Sequence, residues 1–274
     1  MSRMSMALVA GLGVLLQASV RAESPVPKLY SGRPLQLLLV TGGCCHNYPF
    51  QSGQLTNWAA RRADVRFTVV HEGGNGTRGQ IPLYDNPGWS KPYDVVVHNE
   101  CFADTDDPAY IRRVVAGHRG GTPAVVVHCA MHTYRAAAID DWREFLGVTS
   151  RRHDHQSRYP VTVVAPAHPA MQGFQAPWTT AMDELYIVEK LWPKATALAT
   201  ARSEGDGSTH AVAWANDFHG ARVFGTTFGH SDATFSDPAF LEMVTRGIVW
   251  ASGKADRNST SKPAVATPRS PFSP

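Results

Sequence analysis

Apolar and polar positions follow two patterns along the chain, and together they predict parallel strands separated by helices. Residues 35–41 form a continuous apolar run that ends at two glycines, which is typical of a strand buried on both faces. Leu55, Trp58 and Ala59 then recur at helical spacing. The same patterns predict further strands at 65–71, 94–98 and 124–127, and helices at 50–62, 108–115 and 135–146, with Asp107 as a cap and Gly117 as a helix end.

The pattern changes after Arg151. Short strands are predicted at 161–164, 196–200, 210–214 and 222–226, with little helix between them, and a last helix at 238–251. A parallel first half and a strand-rich second half predict an α/β fold, namely a flavodoxin-like three-layer sandwich whose mainly parallel sheet carries an antiparallel extension. The long Gly- and Pro-rich stretch 72–92 is expected to be a functional rim loop.

The two ends of the chain differ in composition from the middle. Arg3, the apolar stretch 7–16 and the Val-Arg-Ala sequence ending at Ala22 have the pattern of a secretory signal, which predicts export to the periplasm or beyond with cleavage near Ala22. Residues 33–252 are predicted to form one domain, and the Ser-, Thr- and Pro-rich segment 253–274 a disordered tail. No stretch has the roughly 18–20 apolar residues of a spanning helix, so no membrane span is expected after cleavage.

Charge and cysteine content bear on two questions, namely whether the protein binds nucleic acid and whether it forms disulfides. The net charge is +3, and paired arginines stand at separate points of the chain, so no nucleic-acid-binding stripe is predicted. Cys44 and Cys45 are adjacent and are not expected to bridge each other easily. A bridge from Cys101 or Cys129 to one of them, or a fully reduced set, fits the sequence equally well.

Histidines stand where predicted strands end: His46, His98, His128 and His230. Because the carboxyl ends of parallel strands meet at one edge of a sheet, these imidazoles are expected to share a pocket. A divalent metal such as zinc accepts imidazole nitrogen, so His46, His128 and His230 are candidate metal ligands. The alternative for each histidine is a hydrogen-bonded core residue.

Several sequence segments resemble the trehalose-utilisation, or ThuA-like, family. They are Gly42 to Tyr48, His128 to Tyr134, His168-Pro169, Asp183 to Tyr186 and His219 to His230. The resemblance covers nearly the whole domain in order, and it implies a fold like that of class I glutamine amidotransferases.

The resemblance also implies a role in sugar catabolism. A partner dehydrogenase would oxidise a disaccharide to a 3-keto sugar, and this protein would act on that product or on a glycoside as a lyase, hydrolase or isomerase. Glu184 is then the candidate proton-transfer group, and for Asp183 a cap or surface charge is the preferred interpretation. Candidate saccharide contacts are Tyr48, His98, Glu100, Tyr134 and Tyr186.

Two alternatives remain open. The first is a non-catalytic sugar-binding protein in which the histidines bind only hydroxyl groups. The second is a hydrolase or amidase with Cys129 as nucleophile, activated by His132 or His230. An amidotransferase nucleophile stands in a Gly-x-Cys-x-Gly elbow, and residues 127–131 lack the flanking glycines, which disfavours the thiol hypothesis.

Overall fold

A computed structural model describes residues 27–255 of the chain. The predicted signal sequence and nearly all of the predicted tail lie outside the described residues. The structured elements begin at Tyr30 and end at Ala251.

The first half of the fold alternates strands and helices as the pattern predicts. Its elements are β1 (Tyr30–Gly43), α1 (Tyr48–Arg62), β2 (Ala63–His71), β3 (Val95–Cys101), α2 (Pro108–Arg119), β4 (Ala124–Val127) and α3 (Asp141–Leu146). Short 3-10 helices at Pro82–Asp85 and His128–Met131 interrupt the connections.

The second half is mostly strand. Its elements are β5 (Val148–Ser157), β6 (Pro160–Val163), β7 (Trp178–Thr179), β8 (Asp183–Leu191), β9 (Ala195–Arg202), β10 (Thr209–Phe218), β11 (Ala221–Thr226) and α4 (Pro238–Ala251). A 3-10 turn at Thr234–Ser236 precedes α4.

Nine strands form one sheet in the order β2-β1-β3-β4-β11-β10-β9-β6-β7. The first five are parallel, and the pairs from β11 onward are antiparallel. The order 2-1-3-4 is that of flavodoxin-like sheets. The predicted fold class, a parallel sheet with an antiparallel extension, is therefore confirmed.

Both faces of the parallel sheet are covered, which explains the unbroken apolar runs. Leu37 and Leu39 of β1 face the core that includes α4, whereas Leu38 and Val40 face the core that includes α2 and α3. A strand side chain alternates between faces, so a doubly covered strand needs an apolar residue at every position.

A separate two-stranded sheet, β5 paired with β8, was not predicted. Its first strand contains the sequence Arg-Arg-His-Asp-His-Gln at 151–156, which has no apolar alternation. The antiparallel register places His153 opposite Tyr186 and Gln156 opposite Glu184.

Two helix boundaries differ from prediction. The expected helix at 135–146 is only the six-residue α3, because Tyr134 takes a left-handed conformation (φ 59°) and the chain turns before Asp141. The helix α2 runs through Gly117 to Arg119. Gly117 does not end the helix; it gives room for Trp89, whose Cζ2 would lie 2.6 Å from a Cβ at position 117.

No helix within residues 27–255 is long and apolar enough to cross a membrane.

Two helical glycines make a matched test of this packing. Gly117→Ala is expected to lower the free energy of unfolding by about 1–3 kcal/mol, because the added methyl overlaps the Trp89 ring. Gly53→Ala in α1 meets no atom within 4 Å and is expected to raise it by about 0.5–1 kcal/mol through helix propensity. Urea unfolding checks both, and equal effects of the two changes would contradict the packing role of Gly117.

Candidate active site

Three histidines from three parallel strand ends lie together at one edge of the sheet. His46 follows β1, His128 follows β4, and His230 follows β11. One ring nitrogen from each lies within 4.8 Å of those of the other two. The ring centroids are 4.9 Å apart for His46 and His128, 5.1 Å for His46 and His230, and 5.5 Å for His128 and His230. The three candidate metal ligands are thus neighbours in space.

A sharp backbone turn places His128 in this group. His128 takes a left-handed conformation (φ 46°) immediately after β4. Gly229, also at positive φ, passes so close that a Cβ there would lie 3.0 Å from the His128 Cβ. Non-glycine residues at positive φ are costly and concentrate at functional sites. After β4 it is His128 that occupies the strained conformation. The nucleophile candidate Cys129 comes one residue later, inside the 3-10 helix.

Backbone carbonyls orient two of the rings. His46 Nδ1 lies 3.1 Å from the His230 carbonyl oxygen, and His128 Nδ1 lies 2.7 Å from the Thr227 carbonyl oxygen. A carbonyl only accepts, so each Nδ1 carries the proton and each Nε2 keeps its lone pair. Metal-binding histidines commonly donate their second nitrogen in this way.

The third ring, that of His230, has one nitrogen in a side-chain hydrogen bond. His230 Nε2 lies 2.8 Å from the side-chain amide nitrogen of Gln156. His230 Nδ1 is buried and has no hydrogen-bond partner among residues 27–255; Glu184 Oε2 lies 3.4 Å away. Because Nε2 accepts from that amide, the proton of the neutral ring stands on Nδ1, and a cation would take this nitrogen only after the proton has left, with Glu184 as the nearest acceptor.

Burial keeps two of the imidazoles neutral. It lowers the pKa of His46 to about 4, helped by the nearby charge of His230. Burial also lowers the pKa of His128 well below its ordinary value, helped by His46. The contact with Glu184 instead raises the pKa of His230.

Glu184 enters the site from the separate two-stranded sheet. Its Oε2 lies 3.7 Å from His128 Nε2 and 3.7 Å from His153 Nε2, in addition to its contact with His230. Burial alone would raise the pKa of Glu184, but the His230 contact and the His153 charge outweigh it, so the pKa is lowered. The carboxylate is therefore ionised at neutral pH and faces the imidazoles.

Tyr186 stands two residues beyond Glu184 on the same face of β8. Its hydroxyl lies 3.3 Å from His128 Nε2, and its ring stacks on His132 at 3.8 Å between centroids. His132 is buried, bonds to the Ser150 hydroxyl at 3.0 Å, and burial lowers its pKa to about 3. His132 thus supports the Tyr186 ring.

A cavity of about 220 Å³ opens beside these groups. Its lining includes the side chains Cys45, His46, Arg135, His153, Glu184, Tyr186 and His230. Arg135, His153 and Gln156 were not among the predicted site residues. For His153 the signal that the sequence offers is the His-Asp-His spacing at 153–155, which is also common in polar loops.

Four predicted substrate contacts lie behind the cavity wall. His98, Glu100, Tyr48 and Tyr134 are buried and none of them lines the cavity, whereas the equally buried Tyr186 does. The Tyr48 hydroxyl donates to the Cys44 carbonyl. This corrects the expectation that His98, Glu100, Tyr48 and Tyr134 contact a saccharide.

His98 belongs to a buried hydrogen-bonded chain. His98 Nδ1 lies 2.8 Å from Glu100 Oε1, and its Nε2 lies 3.0 Å from His118 Nε2. His118 Nδ1 donates to the Thr122 carbonyl, and burial beside His98 lowers the pKa of His118 well below its ordinary value. Neutral His118 must therefore accept from His98 Nε2, so the hydrogen-bonded chain runs from His98 through His118 to the Thr122 carbonyl.

All four cysteines of the sequence are paired. The bridges are Cys44–Cys45 and Cys101–Cys129. Both pairings differ from the bridge between the two groups that the sequence suggested, because Cys101 and Cys129 end the neighbouring parallel strands β3 and β4. Cys129 therefore carries no free thiol, and a Cys129 nucleophile is not available in this state.

Asp183 holds the loop that carries His230. Its carboxylate accepts from the backbone N–H groups of Glu184, Gly229 and His230 and from the Thr234 hydroxyl. Burial raises its pKa to about 6, against the lowering effect of these donors. Asp183 is fully buried, which corrects its interpretation as a cap or surface charge.

Solved structures share this architecture. A ThuA-like protein from Parabacteroides merdae is 21% identical with a TM-score of 0.63, covering 80% of this chain and 90% of that one. A ThuA-like protein from Bacteroides uniformis is 13% identical with a TM-score of 0.60, covering 81% and 93%. A β-galactosidase from Rahnella is 12% identical with a TM-score of 0.54, covering 80% of this chain but 31% of that one. At these identities the likeness shows the fold alone.

The α/β architecture places the chain among ThuA-like folds. The sequence model of the ThuA family, described as trehalose utilisation, matches residues 90–251. The chain belongs to the ThuA family, which confirms the resemblance and supports a sugar-related role. A search of curated proteins found no match.

Replacing the buried carboxylate tests how the His230 loop is held. Asp183→Asn is expected to lower the free energy of unfolding by about 1–3 kcal/mol, because an amide NH₂ group faces hydrogen-bond donors. Thr234→Val removes one of the four donors and serves as the control, with an expected loss of about 1 kcal/mol. Chemical denaturation gives both values, and an Asp183→Asn effect no larger than the control would contradict this role.

The neutral state of His118 predicts an acid-dependent loss of stability. The pKa of His118 is lower in the folded than in the unfolded protein. Its contribution to the free energy of unfolding is therefore fully present above the unfolded pKa of about 6.5 and is lost as the pH falls below that value. His98 and Glu100 are the titratable groups that share its hydrogen-bonded chain, and the Trp89 and Phe145 rings also pack on it.

The change in pH slope isolates this histidine. Below pH 6.5 the free energy of unfolding is expected to change less steeply with pH in His118→Gln than in the unchanged protein. The difference in slope is about 1.4 kcal/mol per pH unit, the value for one titrating proton. Urea unfolding of both proteins at several pH values between 7 and 4.5 measures it. Parallel stability curves would show that His118 does not resist protonation.

Proposed function

We propose that the chain is an exported carbohydrate-active enzyme that acts on glycosides or 3-keto sugars with the help of a divalent metal. The observation that carries the proposal is the trio of imidazoles beside an ionised carboxylate: His46, His230 and Glu184 line a cavity, and His128 is buried directly behind them. Membership of the trehalose-utilisation family supports a saccharide ligand. Two disulfides agree with export, since disulfides persist in oxidising compartments.

His46, His128 and His230 would hold the metal. Two of them present an oriented Nε2 lone pair, and the third has a buried nitrogen without a hydrogen-bond partner. A divalent cation bound there acts as a Lewis acid on a carbonyl or hydroxyl oxygen.

Glu184 is the proposed proton-transfer group. A keto group at C3 acidifies the neighbouring C–H, and an ionised carboxylate beside the cavity can take up that proton. His153 and His230 lie within 3.7 Å of its Oε2 and stabilise the carboxylate before transfer. Cleavage by elimination or isomerisation needs no second carboxylate at the spacing of an ordinary glycosidase.

The cavity accommodates a sugar ring. Its volume of about 220 Å³ lies below the roughly 300–1,000 Å³ of drug-sized pockets. Tyr186 offers one edge of an aromatic ring, and the exposed Arg135 and His153 offer hydrogen-bond donors at the rim. One sugar unit would occupy the cavity, and the rest of a glycoside would extend into solvent. A 3-keto substrate would have to be supplied by a sugar dehydrogenase.

Separate variants distinguish metal binding from proton transfer. His128→Ala and His46→Ala are expected to lose bound metal and turnover together. Glu184→Gln is expected to keep the metal and to lower kcat by about 10²–10⁴-fold. His155→Ala is the matched control, because His155 is exposed, pairs with Glu204 and does not line the cavity. Elemental analysis gives metal content, and a screen of oxidised and unoxidised disaccharides, with and without chelator, gives turnover.

The outcomes separate the alternatives. Unchanged metal content and turnover in His128→Ala would refute the metal site. Tight saccharide binding without turnover of any oxidised or unoxidised glycoside would favour a non-catalytic sugar-binding protein.

A further inference from the structure

The four cysteines form one sulfur cluster at the edge of the sheet. Cys44–Cys45 follows β1, Cys101 ends β3, and Cys129 follows β4. The two bridges contact each other, with 3.7 Å between Cys44 Sγ and Cys101 Sγ. Gly43 permits this approach, because a Cβ at that position would lie 2.1 Å from the Cys101 carbonyl oxygen.

Exposure decreases across the cluster. Cys45 is exposed and Cys44 is partly buried, whereas Cys101 and Cys129 expose 3% and 7% of their surface. Thiol–disulfide exchange depends on access to the attacked sulfur. A thiol arriving from solvent therefore meets the exposed Cys45 first, because the Cys101–Cys129 bridge also lines the cavity but exposes little surface.

We propose that the four cysteines form a thiol–disulfide exchange site that takes an external dithiol as its two-electron reductant and, after exchange between the two bridges, leaves Cys45 and Cys129 as the free thiols. This activity is separate from the proposed sugar chemistry. It rests on the contact between two bridges and on the exposure gradient.

The exchange proceeds in two balanced stages. One thiolate of the external dithiol attacks Cys45, its second thiol closes the dithiol into a disulfide, and Cys44 and Cys45 are released as thiols. Cys44 then attacks Cys101 Sγ: the Cys44–Cys101 bond forms, the Cys101–Cys129 bond breaks, and Cys129 leaves as a thiolate that takes up the proton given by Cys44. The dithiol is oxidised by two electrons, and the protein keeps one disulfide and two thiols.

The product places a thiol among the imidazoles. Ligand atoms of His46, Cys101 and Cys129 lie within 4.8 Å of one another. A reduced Cys129 would therefore add a sulfur ligand or nucleophile to the edge that carries the histidines. The thiol chemistry that the oxidised protein lacks would become available only after this exchange.

Stoichiometric reduction of the full chain tests this exchange. The oxidised protein is treated with one equivalent of dithiothreitol in the presence of chelator, quenched with acid, alkylated with N-ethylmaleimide in denaturant and mapped by mass spectrometry. The expected products are alkylated Cys45 and Cys129 and a Cys44–Cys101 disulfide peptide. Alkylation confined to Cys44 and Cys45, with Cys101–Cys129 intact, would overturn the proposal.

Two cysteine variants test the second stage of the exchange without an added reductant. Cys45→Ser leaves Cys44 as a lone attacking thiol, so Cys129 is expected to be alkylated without dithiothreitol. The double variant Cys44→Ser/Cys45→Ser has no attacking thiol, and its Cys129 labelling is expected to be at least tenfold lower. Labelling of Cys45→Ser at Cys44 alone would refute the exchange. Circular dichroism confirms folding, and if a variant does not fold, the wild-type map decides.

Discussion

Parallel strands end at the same edge of a sheet, and this constraint positions the candidate site. β1, β4 and β11 lie in the same parallel run, so the residues that follow them converge although they are far apart in sequence. Convergence alone would leave the rings too far apart to share a ligand. The left-handed turn at His128 and the close passage of Gly229 bring the imidazoles into contact. The site therefore depends on backbone conformations that cost free energy and that the surrounding core must hold.

A buried carboxylate supplies much of that support. Asp183 ties the start of β8 to the Gly229–His230 backbone through its hydrogen bonds, so one side chain fixes both the strand that carries Glu184 and the loop that carries His230. A buried charge is tolerated when donors surround it, as they do here. Behind this layer, Glu100, His98 and His118 form a second, fully buried polar chain whose residues do not line the cavity.

The sequence predicted the main sheet well because the central parallel strands β1, β3 and β4 are buried on both faces, and burial leaves an apolar run such as Leu37 to Val40. Convergence of the histidines followed from strand direction alone. The strand β5 was not predicted because its residues 151–156 are polar and mostly exposed. For the same reason His153 and Gln156, which lie on this strand, were not predicted as site residues. The depth of each histidine could not be predicted either. The strand expected to end at His98 runs on to Cys101, so His98 lies mid-strand in the core, whereas His128 follows β4 and faces the neighbouring histidines. The cysteine pairing depends on distances between strand ends, which composition does not report.

The two-stranded sheet contributes Glu184 and Tyr186, while the nine-stranded sheet contributes the imidazoles. A ligand that contacts Glu184 or Tyr186 as well as the imidazoles is bound between the two sheets. Binding of such a ligand stabilises the packing of the small sheet against the large one. Changes in the small sheet can alter which compounds are accepted while the nitrogen donors stay in place. The candidate metal ligands and the candidate proton-transfer group of this scaffold thus lie on different pieces of backbone, and each can be changed by substitution without altering the strand that carries the other.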